Sequence, residues 1–479
     1  MKVTLAGFTT DVASFIFGDA HPETIPAAYA RISRRPEPLR VLRCEARQAL
    51  DQASRSCANI VHGMGHQSIA EHAVLQFDIE GISRLLVEDL EHHRLASFTE
   101  RSYRYCPAKA SDYYTPPQIE AASSEEQDRY HNFIAGLFHH YQELTDAGIA
   151  FLRENKFAGT EQQLAQKAQE DARIILPLAL TTSVGMTINA RSLSRMIKRL
   201  RAVGYDEARQ LAAELETQAK PVAPALIRHT EVAPVEKMFL DWNLTPVADL
   251  SKTHYKNTLR PFVDIELVRF SEFEKVLESI FKLSLTGFSL VDAYVKALTQ
   301  HDAMPRVFEL SDVVVQCIGS ATFFAQLKRH RMASIFTGGY DTRLGHYIPL
   351  NMRRSPVYEK YLVALQFVQD TEYGFPFNSA YSKLGATRRR ILFKMNCRSL
   401  VHFFRLRRDS HAAEEIRQFA DALAERLINT PIQSEYGKTN PAHVGIYRSF
   451  LEVLFAAKHD FENKKRDFLL MITEKTRRD

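Results

Sequence analysis

Apolar residues recur along this chain in two rhythms. The alternating one marks strands: VTLAGF at the start, and AVLQFDIEGIS, where Val74, Leu75, Phe77, Ile79 and Ile82 carry the pattern. The three-to-four rhythm marks helices. It runs over 40–63 through Leu42, Ala46, Leu50, Ala53 and Ile60, and a further helix is expected over 84–97. Helices are also expected over 124–153 and 162–178, the latter bounded by Pro177. The segment YDEARQLAAELETQ (205–218) is amphipathic, and Pro221, Pro224, Pro234, Pro246 and Pro261 then mark a connection. Beyond it, VFELSDVVVQCIGSATFF (307–324) is β-branched and strand-like, 410–428 is helical, and the basic tail reads as a surface helix docked on the body.

Composition narrows the class. With 45% apolar and 25% charged residues in 479, the chain is globular rather than fibrous or disordered. No apolar run approaches the roughly 18 residues of a membrane span. The start, MKVTLAGFTTD, does not read as a signal peptide, so the cytoplasm is expected. The charge, 62 − 57 = +5, is too mild to mark a nucleic-acid binder but suits small anions held by local arginine clusters. Cys44, Cys57, Cys106, Cys317 and Cys397 are scattered and form no C-x-x-C pair, so a disulfide framework and structural zinc are not expected.

The chain repeats itself. His92-His93-Arg94-Leu95-Ala96-Ser97 is followed by Asn189-Ala190-Arg191-Ser192-Leu193, and Arg329-His330-Arg331-Met332-Ala333-Ser334 by Asn396-Cys397-Arg398-Ser399-Leu400. A duplicated, fused domain follows: 1–225, a connection and start of the second half over 226–300, and a diverged second copy over 301–479. Arg329-His330-Arg331 with Gln326 is a dense cationic and hydrogen-bonding cluster, suited to phosphates and flat rings. Glu100-Arg101-Ser102-Tyr103-Arg104-Tyr105 offers a hydroxyl, backbone N–H groups and arginines that can cradle a phosphate. Each has a bland alternative, an exposed charged turn and a polar loop. His66 and His72 are six residues apart, the wrong spacing for a helical zinc pair.

The segment GHQSIAEHAVLQFDIEGISR…HHRLASFTERSYRY resembles the signature region of the flavin-dependent thymidylate synthases, and NARSL, NCRSL and LRRDSHAAEEI resemble that family's C-terminal signature. The resemblance covers most of 1–220 and, more patchily, 300–430; it does not explain 230–300. It implies an α+β fold, with an antiparallel-rich sheet flanked by helices in each copy. It implies FAD as cofactor, NADPH as reductant and methylenetetrahydrofolate as donor of the carbon added to deoxyuridylate, without an enzyme cysteine. Catalytic roles fall on Arg407 and His66. Substrate contacts fall on Glu100, Arg101, Ser102, Tyr103, Arg104, Arg173, Gln326, Arg329 and Arg407. FAD contacts fall on Ser68, Glu100, Asn189, Arg191, Arg329, His330, Arg331, Asn396, Arg398 and His402. An arginine beside the uracil would favour its ionised form and so activate C5.

Each half departs from the family pattern, in complementary places. In the first, Gln-x-x-Arg-His-Arg has become Asp89-x-x-His92-His93-Arg94, although the loop from Glu100 to Tyr105 and Arg173 are kept. The second keeps Gln326, Arg329, His330, Arg331 and Arg407. Its loop, however, reads Phe336-Thr337-Gly338-Gly339-Tyr340-Asp341, it has no counterpart of Arg173, and Arg343 has the wrong spacing. In the family one subunit supplies the Gln…Arg-His-Arg segment and the uracil arginine, and its neighbour supplies the loop and the other phosphate arginine. The expectation is one composite site per chain from opposite halves, one degenerate site, and a homodimer. Two other readings fit the same residues: a flavin enzyme on another pyrimidine nucleotide, and a degenerate nucleotide-binding protein. Membrane binding is not expected. Nucleic-acid binding is weakly motivated, because the basic tail lacks interleaved aromatic residues.

Overall fold

A computed structural model describes residues 1–103, 106–232, 264–270, 288–353, 356–372, 380–430 and 441–476. The first repeat contains β1 (Lys2–Phe8), α1 (Val12–Phe17), α2 (Thr24–Tyr29), α3 (Leu39–Gln48), α4 (Leu50–Ala58), β2 (Val74–Ser83), α5 (Arg84–Leu90), β3 (Ala96–Glu100), α6 (Pro117–Glu120), α7 (Ser124–Glu154), α8 (Glu161–Ala172), β4 (Thr181–Asn189), α9 (Ala190–Ala202) and α10 (Asp206–Ala219). The second contains β5 (Asp264–Phe270), α11 (Phe288–Ala297), β6 (Asp312–Ser320), α12 (Ala321–Leu327), β7 (Ser334–Thr337), α13 (Val357–Glu372), β8 (Arg388–Asn396), α14 (Cys397–Arg407), α15 (Glu414–Ile428), α16 (Pro441–Leu454) and α17 (Phe461–Thr476).

The sheets confirm the duplication. One has strand order β1-β2-β4-β3 and the other β5-β6-β8-β7, the same order, with every neighbouring pair antiparallel. In β2, Leu75, Phe77 and Ile79 are buried while Asp78 and Glu80 are exposed, the alternation of a sheet with one covered face. Ser83 lies opposite Thr181 as Ser320 lies opposite Arg388, and Val74 opposite Asn189 as Asp312 opposite Asn396. β2 therefore holds one residue more than β6. The extra residue sits in a bulge between Glu80 and Ile82, where Gly81 has φ +71°, a conformation glycine adopts without steric cost.

Two compact units emerge, and in one place they depart from the expected linear boundaries. The described residues of 354–385 belong with 1–242, and those of 243–353 with 386–479. The reason is packing. In the first unit α13 lies on α7, with the rings of Phe133 and Phe367 stacked at 6.0 Å. A Cβ on Gly136 would come within 2.3 Å of the Phe367 ring, so glycine is required on this face of α7. Residues 380–385 then pair with the approach to β4: Leu178 N donates to Lys383 O at 2.8 Å and Gly385 N to Leu176 O at 2.9 Å.

The helices fall largely where the periodicity places them, with refinements at the ends. The stretch 40–63 is broken at Ala49, 84–97 ends as a helix at Leu90 and turns into β3, and the apolar run 307–324 divides into a 3-10 turn, β6 and the start of α12. No helix among the described residues is long and apolar enough to cross a membrane.

Candidate functional site

In the second unit the chain leaves α12 directly into Arg329, His330 and Arg331, and the last turn of α14 comes back against them. Arg407 organises this corner. Its Nη1 donates to Gln326 Oε1 at 2.7 Å, its Nη2 to Gln326 O at 3.1 Å and its Nε to His330 Nε2 at 2.9 Å. Because His330 accepts at Nε2, its proton sits on Nδ1. The imidazole packs at 4.9 Å against Phe403 and 6.3 Å from His402, and burial, with Arg407 and His402 nearby, pushes its pKa down to about 3. Arg407 is pushed down to about 10, first by burial and then by the charge of Arg329. Two guanidinium groups brought this close, one of them largely desolvated, favour an anion between them. Arg329 is exposed and Arg331 half-buried.

The same corner of the first unit is built differently. Asp89 accepts from Tyr205 Oη at 2.6 Å and lies 3.9 Å from Arg199. Leu200, fully buried, stands eleven positions after Asn189, where Arg407 stands eleven after Asn396. Without an arginine there, His93 Nε2 is buried with no hydrogen-bond partner among the described residues. His93 is held near pKa 3 by burial, Arg199, His92 and Arg195. Where the second repeat offers cations, the first offers a carboxylate already engaged; His92 and Arg94 are exposed.

The first unit's loop follows β3. Glu100, at its start, forms an ion pair with Arg84, a residue that sequence reasoning did not single out. The second repeat has Ala321 and Thr337 at these two positions, so the pair is present or absent as a unit. Arg101 is exposed and its N donates to Ser183 O at 3.0 Å; Ser102 is half-buried, and Cys106 N closes a turn onto Ser102 O at 3.0 Å. Tyr103 is buried, its hydroxyl donating to Thr181 O and its pKa pushed up to about 12 by burial. Arg104 and Tyr105 lie outside the described residues. Arg173 opens the 3-10 turn after α8, 4.0 Å from Glu170.

In the second repeat Gly338 N donates to Arg390 O at 3.0 Å, which places Tyr340 at the counterpart of Tyr103 and Asp341 at that of Arg104. Arg389 holds this loop from β8, donating to Gly338 O at 2.8 Å with its guanidinium 4.2 Å from the Tyr340 ring centroid. The run Arg388-Arg389-Arg390, buried on β8, replaces Thr181-Thr182-Ser183 and was not anticipated.

The repeated Asn-x-Arg-Ser-Leu has a shared architecture. Asn189 and Asn396 cap α9 and α14, accepting from Ser192 N at 2.8 Å and Ser399 N at 2.9 Å. Arg191 pairs with Glu71, and Arg398 with Glu309 at 2.8 Å and with Met304 O at 2.7 Å. Each arginine thus latches the 3-10 segment that precedes its sheet's second strand. His66 and Ser68 are exposed at the first of these segments, where Gly65 has φ +79°. Asn396 and Arg398 sit at the opposite end of α14 from Arg407, about 16 and about 14 Å along the axis at roughly 1.5 Å per residue. They are therefore separated from the Gln326–His330–Arg407 cluster, which His402 flanks. No group of metal-ligating side chains occurs among the described residues.

A duplicated α+β unit with a cationic corner in one copy and a Ser-x-Arg loop in the other defines the class. The family model described as thymidylate synthase complementing protein matches residues 16–225 and 266–430, and the chain belongs to that family. It is 29% identical over 214 residues to the flavin-dependent thymidylate synthase of Clostridium tetani, covering 44% of this chain and 82% of that protein. It is 34% identical over 129 residues to that of Nitratidesulfovibrio vulgaris, covering 27% of this chain and 48% of that protein. Among solved structures, the Helicobacter pylori flavin dependent thymidylate synthase complexed with FAD and dUMP aligns at 19% identity and TM-score 0.31, over 48% of this chain and all of that one. The UMP/dUMP methylase PolB of Streptomyces cacaoi, bound with 5-Br dUMP, aligns at 19% identity and TM-score 0.33, over 47% and 92%.

Proposed function

We propose that this protein is a flavin-dependent thymidylate synthase, methylating deoxyuridylate with methylenetetrahydrofolate as carbon donor and NADPH as reductant, at one competent site per chain. The observation that carries this reading is the Arg407 corner: a desolvated guanidinium, pushed down by burial and by Arg329, anchored on Gln326 and His330. Such a corner accepts an anionic nucleotide, and an arginine against uracil stabilises the negative charge that makes C5 nucleophilic. In this reading Arg101, Ser102 and Arg104 hold the phosphate with Arg173, while Gln326, Arg329 and Arg407 hold the base. His66 completes the catalytic set.

The residues fit FAD as well. Arg329, His330, Arg331 and His402 are a donor-rich set around a neutral imidazole; Ser68 is exposed, whereas Asn189, Arg191, Asn396 and Arg398 are already engaged as caps and latches and would meet the cofactor through the donors those bonds leave over. FAD, when bound, would supply the reducing equivalents. Four domains from two chains would make a homodimer, and a cytoplasmic enzyme is in keeping with its small-molecule substrates. The test is to load the protein with FAD and assay thymidylate formation from deoxyuridylate with both co-substrates. Turnover supports the reading. Flavin and nucleotide binding without turnover points to a degenerate binding protein, and turnover with a different pyrimidine nucleotide alone reassigns the substrate.

A further inference from the structure

In both sheets the second strand ends in a serine that caps the next helix, and a buried glutamate from later in the same repeat grips that serine. Ser83 N and Oγ donate to Glu207 at 2.7 and 2.5 Å, and Tyr381 Oη adds a third bond at 2.9 Å. Ser320 N donates to Glu415 Oε1 at 3.1 Å and Ser320 Oγ to Glu415 Oε2, while Ser320 Oγ itself accepts from Phe323 N at 3.1 Å. Glu415 is 3% exposed. Burial pushes its carboxyl up to about 7, against the charge of Arg388 and the two bonds from Ser320. A buried carboxylate is a costly way to fasten a helix, and such groups are retained where they fix one arrangement over others.

In the second unit that arrangement has a consequence. α12 has seven residues, too few to be stable as an isolated helix, so its placement depends on its buried face and on what holds its two ends. Glu415 holds its first turn, and Arg407 holds its last through the side chain and backbone oxygen of Gln326. We propose that Glu415 is a positioning residue that sets α12 from its far end, so that Gln326 and Arg329 meet the nucleotide beside Arg407. This rests on the nucleotide reading above.

The test uses the FAD-loaded full chain and reads the deoxyuridylate Kd from the flavin spectrum, with Tm measured alongside. The variants are Glu415→Gln, Ser320→Ala and, as a control, Leu423→Ala, a core truncation on the same helix. A glutamine puts an amide donor where one of the two accepting carboxylate oxygens stood, so the paired grip on Ser320 N and Oγ is lost. Glu415→Gln and Ser320→Ala should each raise Kd about tenfold or more, since small misplacements of binding groups are costly. Leu423→Ala should lower Tm while leaving Kd within about twofold. A wild type that binds nucleotide, with Kd unmoved in the first two variants or moved equally in all three, overturns the positioning role. A wild type that binds no nucleotide overturns the functional reading, and this inference with it.

Discussion

Asp89 and Gln326 occupy the same place in the two repeats and face opposite chemistry. Asp89 is engaged by Tyr205 and Arg199, and His93 Nε2 is left without a hydrogen-bond partner among the described residues. Gln326 is engaged by Arg407, which also completes His330. The loops show the reverse. The first repeat keeps Glu100 with its Arg84 partner, whereas the second has neither and ties its loop down with Arg389. The lesson is that the copies share a scaffold, down to the Ser–Glu clamp and the Asn cap, and in the proposed reading divide the chemistry. Scaffold bonds persist in both because removing either partner leaves a buried polar group unsatisfied. Nucleotide contacts need exist only once.

The largest effect that could break this comparison is on binding. Arg329→Ala and Arg104→Ala, in different repeats, should each weaken deoxyuridylate binding by about 100-fold, as expected from about 3 kcal/mol for a truncated charged contact. Calorimetry in which either variant binds like wild type would contradict the division. Next is the clamp. Glu207→Ala strands the Ser83 N, Ser83 Oγ and Tyr381 Oη donors and should cost about 3 kcal/mol in urea unfolding, the lower end for breaking a buried charged network.

A smaller effect is on the pH dependence of stability. His93 and His330 are both held near pKa 3 in the folded chain, against 6.5 when unfolded. Between those limits the unfolded state binds more protons, so stability falls as pH drops below about 6.5. His93→Leu should remove about one proton of uptake per molecule from the pH dependence of unfolding. An unchanged slope would show that His93 titrates normally. The smallest effect is expected at the degenerate corner: His92→Ala should change kcat/KM by less than about twofold, as substitution of an exposed side chain away from a working site does. A tenfold loss at His92 would mean the first repeat's corner is in use.

Much of this was legible in the sequence, for identifiable reasons. The duplication was visible because the capping Asn and the latching Arg recur in both copies, and α7, α8 and α10 because their apolar faces keep helical period over three turns or more. β8 was hidden: it opens with three arginines, and only the fold shows them buried. β4, opening Thr-Thr-Ser, carries a weak apolar signal for a similar reason. The packing of α13 on α7 leaves only a mid-helix glycine as its trace, Gly136, whose partner Phe367 lies in the other repeat. At the site, residue types were legible and engagements were not. No sequence pattern shows that Arg191 and Arg398 spend their guanidinium groups on Glu71 and Glu309, or that Arg84 holds Glu100.

The central claim is that each chain holds one competent nucleotide site, not two and not none. The most direct test is a calorimetric titration of deoxyuridylate into the FAD-loaded protein, counting nucleotides per chain. The account predicts one per chain in wild type, and in Arg329→Ala no second site and only binding weakened about 100-fold. Two per chain, with one retained in Arg329→Ala, would show that both repeats bind independently and would contradict it.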